Sequence, residues 1–334
     1  MKEIEKIIRQ HSKQYPKMQP QDVAKLIYQN EFGAGHFVDN AADSLQRLQD
    51  EYGRERSNTK EPVIERIGNG YVRYALSGVK ENELETLNRL FVLTAGQTGS
   101  KKGRKENYEE KLYSVLSFFS CSEFSFTKEE YRAYIKTQKE KGYPAVSHSE
   151  IYRQAYTPVY RVIDERFSPY VELLAELEEQ YQKKCGGENC LTVGIDGNAA
   201  AGKTTLAWCI SELYDCEVIH MDDFFLPPHL RTGERLSEPG GNIHYERFLQ
   251  EVVAGIKSKK DFSYRIFSCH KMDYTGERTV KRQKMIVVEG AYSMRPEFRD
   301  IYDYKIFIRL PLETQLQRIQ IRNGPQMCRI FEEQ

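Results

Sequence analysis

Residues 197–204 read Gly197-Asn198-Ala199-Ala200-Ala201-Gly202-Lys203-Thr204, and Thr205 follows. This is the spacing G-x-x-x-x-G-K-[ST]. Small side chains let successive backbone N–H groups close around phosphate oxygens, and a helix beginning at the lysine turns its positive end toward the same anion. In such a loop the Lys203 amine reaches the β- and γ-phosphates of a nucleotide, and the Thr204 hydroxyl ligates Mg²⁺. The context fits, because the apolar run "CLTVGI" leads in and the helix-like "KTTLAWCISELY" leads out.

Two carboxylates stand where the held phosphates could use them. "CEVIHM" reads as a strand that runs into "DDFF". A carboxylate at the C-terminal end of a strand in a parallel sheet lies where ligands bind. Asp222 is therefore a candidate to orient an attacking hydroxyl and to sit near the metal, a helix or turn cap being its plain alternative. "KMIVVEGAY" is a buried-strand pattern ending at Glu289, and a carboxylate there can hold Mg²⁺ directly or through water.

The elements that must position these groups follow from periodicity. After residue 190, "LTVGI", "CEVIHM", "KMIVVEG" and "YKIFIRL" read as strands. They alternate with "KTTLAWCISELY", "YERFLQEVVAGIKSK" and "LETQLQRIQIRN", which read as amphipathic helices. Near-continuous Val/Ile strands separated by helices predict a parallel α/β sheet covered on both faces. Residues 1–182 read as a mainly α-helical domain, because "VAKLIYQNEF", "ENELETLNRLFVL", "YEEKLYSVLSFF" and "YVELLAELEEQYQKK" repeat apolar residues at three- and four-residue spacing. "CGGEN" marks the expected hinge, and residues 188–334 form the second domain. A second Gly-Ser-Lys stretch near Gly96 fails the loop spacing, since Lys101 stands where the second glycine belongs.

In the first domain, "GYPAVSHSEIYRQAYTPVYRV" gathers His148, Arg153, Arg161 and several tyrosines. An aromatic core face with solvated arginines is the plain reading, and an anion-meeting face the alternative. In "EFGAGHF", Gly33 and Gly35 suit a turn and His36 a cap or packing role.

Composition narrows the class. The 334 residues carry 49 Lys+Arg against 49 Asp+Glu, so nothing marks a general nucleic-acid or anionic-membrane binder. No run of about 18 apolar residues offers a membrane span, and the charged N-terminus lacks a signal-peptide core. Seven cysteines follow no framework spacing, and Cys185 and Cys190 lack a second pair at zinc-ligand distance, so reduced thiols in the cytoplasm are expected.

The motifs "GNAAAGKTT", "MDDFF", "PGGNIHYERF", "YRIFSC", "VVEGAY" and "ETQLQRIQIRNG", in this order over about residues 190–326, resemble the uridine kinase and phosphoribulokinase group of P-loop kinases. The resemblance implies the P-loop NTPase fold with a five-stranded parallel sheet, and ATP and Mg²⁺ as cofactors. It implies that Lys203 and Thr204 bind phosphate and metal, that Asp222 activates a substrate hydroxyl, and that Glu289 is the metal-associated acid. Arg322 and Arg318 match arginines of a lid, and Tyr264 and His270 fall near nucleoside-holding positions. This chain departs from the family in three places. Alanines fill the loop, Ser237-Glu238-Pro239 stands where uridine kinases carry Asp-His-Pro, and Gln334 follows the lid-like segment almost at once, so one sheet strand fewer is expected.

The expectation is an ATP-dependent kinase acting on a hydroxyl of a small nucleoside-like metabolite, with no membrane or nucleic-acid partner and a homo-oligomer left open. An ATPase or GTPase switch and a catalytically impaired nucleotide-binding module are the alternatives.

Overall fold

The computed structural model describes residues 2–34, 40–54, 63–97, 103–120, 122–185 and 189–324. Gly35, His36, Lys101, Gly186, Gly187, Glu188 and Gln334, singled out above, lie outside them. The chain divides into two compact units, residues 1–175 and 176–334.

The first unit contains helices α1 (Lys2–Gln14), α2 (Pro20–Phe32), α3 (Ala41–Tyr52), α4 (Leu84–Gln97), α5 (Lys105–Phe118), α6 (Lys128–Glu140) and α7 (Glu150–Tyr156). Their local causes are legible. Ile4, Ile7 and Ile8 bury one stripe of α1. Thr127 caps α6 by accepting from Glu130 N, while the Glu130 carboxylate accepts from Thr127 N, a reciprocal capping box.

This unit also holds strands that the helical reading did not contain. β1 (Ile64–Gly68), β2 (Tyr71–Ala75) and β3 (Tyr160–Asp164) form an antiparallel sheet in the order β1-β2-β3. The missed signal is Asn69-Gly70. Their φ values of 54° and 77° are the left-handed pair that a two-residue hairpin turn demands. Arg153 is solvated as the plain reading expects, pairing with Glu150 on the exposed side of α7; Arg161 departs from it, being buried, where it pairs with Glu51 and lies over the Phe91 ring. α8 (Val171–Lys184) carries the chain into the second unit. Its later turns are held there by hydrogen bonds from Tyr214 to Glu178 (2.6 Å) and from Tyr304 to Glu176 (2.9 Å).

The second unit is the expected α/β class. Its strands β4 (Leu191–Gly197) and β5 (Cys216–His220) are joined by α9 (Lys203–Leu213). The short helices α10 (Gly233–Ser237), α11 (Tyr245–Phe248) and α12 (Ala254–Ser258) follow, the last two joined by the π-helical turn Leu249–Val253. An antiparallel hairpin, β6 (Phe262–Ser268) and β7 (Asp273–Val280), was not anticipated and stands apart from the main sheet. β8 (Met285–Glu289), β9 (Tyr304–Ile308) and α13 (Leu312–Asn323) complete the unit. The main sheet runs β5-β8-β4-β9, all parallel, so it has four strands among the described residues rather than the family's five. Every residue of β8 is buried, as a central parallel strand requires. Ile219, Phe224, Phe248, Val288, Phe298 and Tyr302 belong to one buried cluster that supports the sheet.

Parallel pairing brings the C-terminal ends of all four strands to one edge. Ile195 and His220 both stand opposite Glu289, and Gly197 stands opposite Ile308. The last pairing tolerates only glycine. Gly197 has φ 144°, and a Cβ there would lie 2.1 Å from the Ile308 carbonyl oxygen. Gly197→Ala should therefore lower unfolding stability by about 2 kcal/mol or more, through strain and displaced backbone. A urea titration checks this, and an unchanged midpoint would show that the loop absorbs the methyl group.

Candidate active site

β4, the loop 198–202 and the first turn of α9 form one continuous cradle. Ala200 and Gly202 take positive φ values of 57° and 105°, which turns the loop tightly enough to start α9 at Lys203. Asn198 N donates to Ile308 O at 3.2 Å, so the neighbouring strand anchors the base of the loop.

Lys203 is buried, and its ammonium donates to the carbonyl oxygens of Gly197 and Asn198, both at 2.9 Å. Burial lowers its pKa, while the nearby Asp196, Glu289 and Asp222 carboxylates oppose that shift. The Thr204 hydroxyl lies 3.2 and 3.3 Å from the two oxygens of Glu289. Glu289, only 5% exposed, has a second partner in His220, whose Nδ1 is 2.6 Å from Oε1. Asp222 follows β5 in the 3-10 turn Met221–Phe224. Its pKa is raised, first by desolvation in the cleft and then by the Glu289 charge.

From the other side, α13 contributes Arg318, whose Nη1 donates to Ala200 O at 3.3 Å, and Arg322 one turn on. Ala200, Ala201, Gly202, Lys203, Thr204, Thr205, Asp222, Glu289, Arg318 and Arg322 line a single cleft of about 310 Å³. Gly197, Asn198 and Ala199 form the rising arm of the loop and are not among the lining residues. Tyr264 is placed differently from its expected role. It is 1% exposed within the core, and its hydroxyl donates to Asp223 at 2.9 Å. His270 is exposed in the turn between β6 and β7, outside the cleft lining.

Two residues that motif reading passed over organise the site. Asp196 Oδ1 accepts from Gly197 N (2.7 Å) and Tyr292 N (3.0 Å), and its Oδ2 accepts from Met294 N (3.0 Å). This one carboxylate ties the loop after β4 to the loop after β8. His220 is the other, and its signal was its place as the last residue of a strand pairing with the strand that ends at Glu289.

The oxygen donors gathered here, the Thr204 hydroxyl and the Asp222 and Glu289 carboxylates, suit a hard divalent cation such as Mg²⁺. No group of three or more His, Cys, Asp or Glu side chains able to hold a metal exists among the described residues.

The His220–Glu289 pair predicts a pH dependence. The Glu289 hydrogen bond raises the folded pKa of His220. Its stabilisation is complete below the unfolded histidine value of about 6.5 and is lost as pH rises through the folded value. Urea midpoints of the wild type and His220→Asn should therefore converge as the pH is raised from about 6.5 upward. A gap that stays constant would mean that the pair contributes no pH-dependent stability.

No protein-family model matches the chain. Over 140 residues, 40% of this chain, it is 31% identical to nicotinamide riboside kinase 2 of Homo sapiens, and the matched region spans 58% of that protein's length. Among solved structures it is similar to one described as a possible uridine kinase from Bacillus stearothermophilus (22% identity, TM-score 0.35, covering 46% of this chain and 91% of the other). It is also similar to one described as a fructose transport system kinase from Silicibacter sp. TM1040 (19% identity, TM-score 0.37, covering 44% and 81%). Neither superposition adds to what the strand order already establishes. The relative found by sequence is a small-molecule kinase.

Proposed function

We propose that this protein transfers the γ-phosphoryl group of ATP to a hydroxyl of a small nucleoside-like metabolite. The observation that carries the reading is the convergence of Lys203, Thr204, Asp222, Glu289, Arg318 and Arg322 on one cleft at the C-terminal edge of the sheet. A phosphate loop alone would serve any nucleotide-binding protein. An acid at the end of the second strand, opposite the loop, is what a phosphoryl acceptor needs in addition.

The loop backbone and the N-terminal turn of α9 would bind the nucleotide's phosphate tail. Lys203 would exchange its two loop carbonyls for phosphate oxygens; its burial strengthens that interaction. Thr204, Glu289 and Asp222 would hold Mg²⁺, which when bound offsets the charge on the transferring group. His220 positions Glu289. Asp222 would orient the acceptor hydroxyl and receive its proton, and its raised pKa brings it closer to a useful base strength. Arg318 and Arg322, exposed on α13, would close on the phosphoryl group and exclude water.

The relative's name sets the order of the acceptor panel, with nicotinamide riboside and uridine first and other nucleosides and small alcohols after them. ADP release from Mg-ATP should depend on one of these acceptors; release without any acceptor would replace the reading by a hydrolase. Asp222→Asn should lower turnover by about 10²–10⁴-fold with nearly unchanged ATP affinity. Near-normal turnover would remove Asp222 from its assigned role.

A further inference from the structure

The first unit holds a second cavity built around an arginine whose hydrogen-bonding capacity is only partly used. Arg73, on β2, is 2% exposed. Its Nε donates to Gln29 Oε1 at 2.8 Å, and its guanidinium lies over the Tyr160 ring at 4.8 Å. A relay behind it fixes this placement. Gln29 Nε2 donates to the Tyr160 hydroxyl at 3.2 Å, the same hydroxyl is 2.7 Å from His148 Nε2, and His148 Nδ1 is 2.9 Å from Asp22 Oδ1. Asp22 is fully engaged, since it also accepts from Ser149 N, Ser149 Oγ and Gln19 N.

The rest of the guanidinium makes no hydrogen bond among the described residues. Nη1 stands 3.9 Å from Glu65 Oε2, beyond hydrogen-bond range. Nη2 is buried and has no hydrogen-bond partner among the described residues. Glu65 is used on one side only: its Oε1 accepts from Gln14 Nε2 at 2.9 Å and from the Tyr15 hydroxyl, while its Oε2 makes no hydrogen bond among the described residues. An unpaired buried N–H costs about 1–3 kcal/mol, so a site that keeps one needs a reason.

Arg73 and Glu65 both line a cavity of about 330 Å³ whose other walls include Tyr15, Tyr152 and Tyr156. The three rings pack against one another with centroids 4.8–5.4 Å apart. The volume falls in the range of small-molecule sites. The walls thus offer three tyrosine rings inclined to one another by 53–72°, with Arg73 and Glu65 side by side among them. A carboxylate ligand would meet Arg73 but also face Glu65, whose charge already offsets the arginine's. A ring that carries a carbonyl next to an N–H satisfies both.

We propose that this cavity binds a flat heteroaromatic ring by a lactam edge of the nucleobase kind. Its carbonyl accepts from Arg73, its ring N–H donates to Glu65, and its face lies against one tyrosine ring while meeting the edges of the others. The site is separate from the phosphate loop and does not depend on the kinase reading.

The test is calorimetric titration of the full chain with uracil and hypoxanthine, set against 1,3-dimethyluracil, in which both ring N–H groups are blocked, and benzoate, a flat anion. At least one base should bind one-to-one, with the dimethyl compound and benzoate at least about tenfold weaker. Arg73→Lys keeps the charge but loses the fork, and Ser77→Phe fills the cavity from its half-buried wall. Each should weaken base binding by about tenfold or more while ATP binding stays unchanged. If Arg73→Lys fails to fold, Ser77→Phe decides. The proposal is overturned if neither base binds at concentrations up to about 10 mM, if benzoate binds as tightly as the bases, or if base binding survives in a folded variant.

Discussion

A carboxylate at the end of a fully buried strand is the constraint on which the second unit depends. Glu289 closes β8, and with only 5% of its surface exposed its charge cannot rely on water. An uncompensated charge in such a place costs several kcal/mol, so the protein must supply partners. It supplies His220 from one neighbouring strand and Thr204 from the helix after the other. Both reach Glu289 only because β5, β8 and β4 run parallel in a register that ends their strands together. A shift of one residue along any of these pairings would send Glu289 or His220 to the opposite face.

The same logic governs the loop. Gly197 packs against the β9 backbone where no side chain fits, and Ala200 and Gly202 take positive-φ conformations, which cost a residue with a Cβ energy. Asp196 offsets part of that strain by accepting three backbone N–H groups from two loops. Lys203 then folds back onto the loop's own carbonyls. The cradle is therefore preorganised by backbone hydrogen bonds and strand packing, and its lining side chains add charge to a shape already made.

The first unit follows a different rule, since it buries polar groups in a connected series. Asp22, His148, Tyr160, Gln29 and Arg73 link α2, the approach to α7, β3 and β2. Burial drives the His148 pKa down to about 3, so the ring is neutral at physiological pH and can donate from one nitrogen while accepting at the other. Such a series is worth its desolvation cost only when every member is satisfied. The unpaired Nη2 of Arg73 at its end is the exception that sets this region apart from an ordinary core.

What the sequence determined by itself was whatever short-range chemistry writes into consecutive residues. The loop spacing, the strands around it and the acidic residues at or just after the ends of two of them were readable because such a loop is one continuous segment and a parallel strand is a continuous apolar run. Helices α2, α4, α5 and α8 were readable for the same reason. Only the tertiary structure decided the rest. The β1–β2–β3 sheet depends on pairing Tyr71–Ala75 with residues some ninety positions later, and a helical period elsewhere in the unit outweighed the Asn69-Gly70 turn. Tyr264, expected near the substrate, became a core residue because the β6–β7 hairpin turns it inward. Asp196, His220 and the Arg73 relay were silent in the sequence because their roles are held by partners from distant strands and helices, and no local pattern encodes which chain segments will meet.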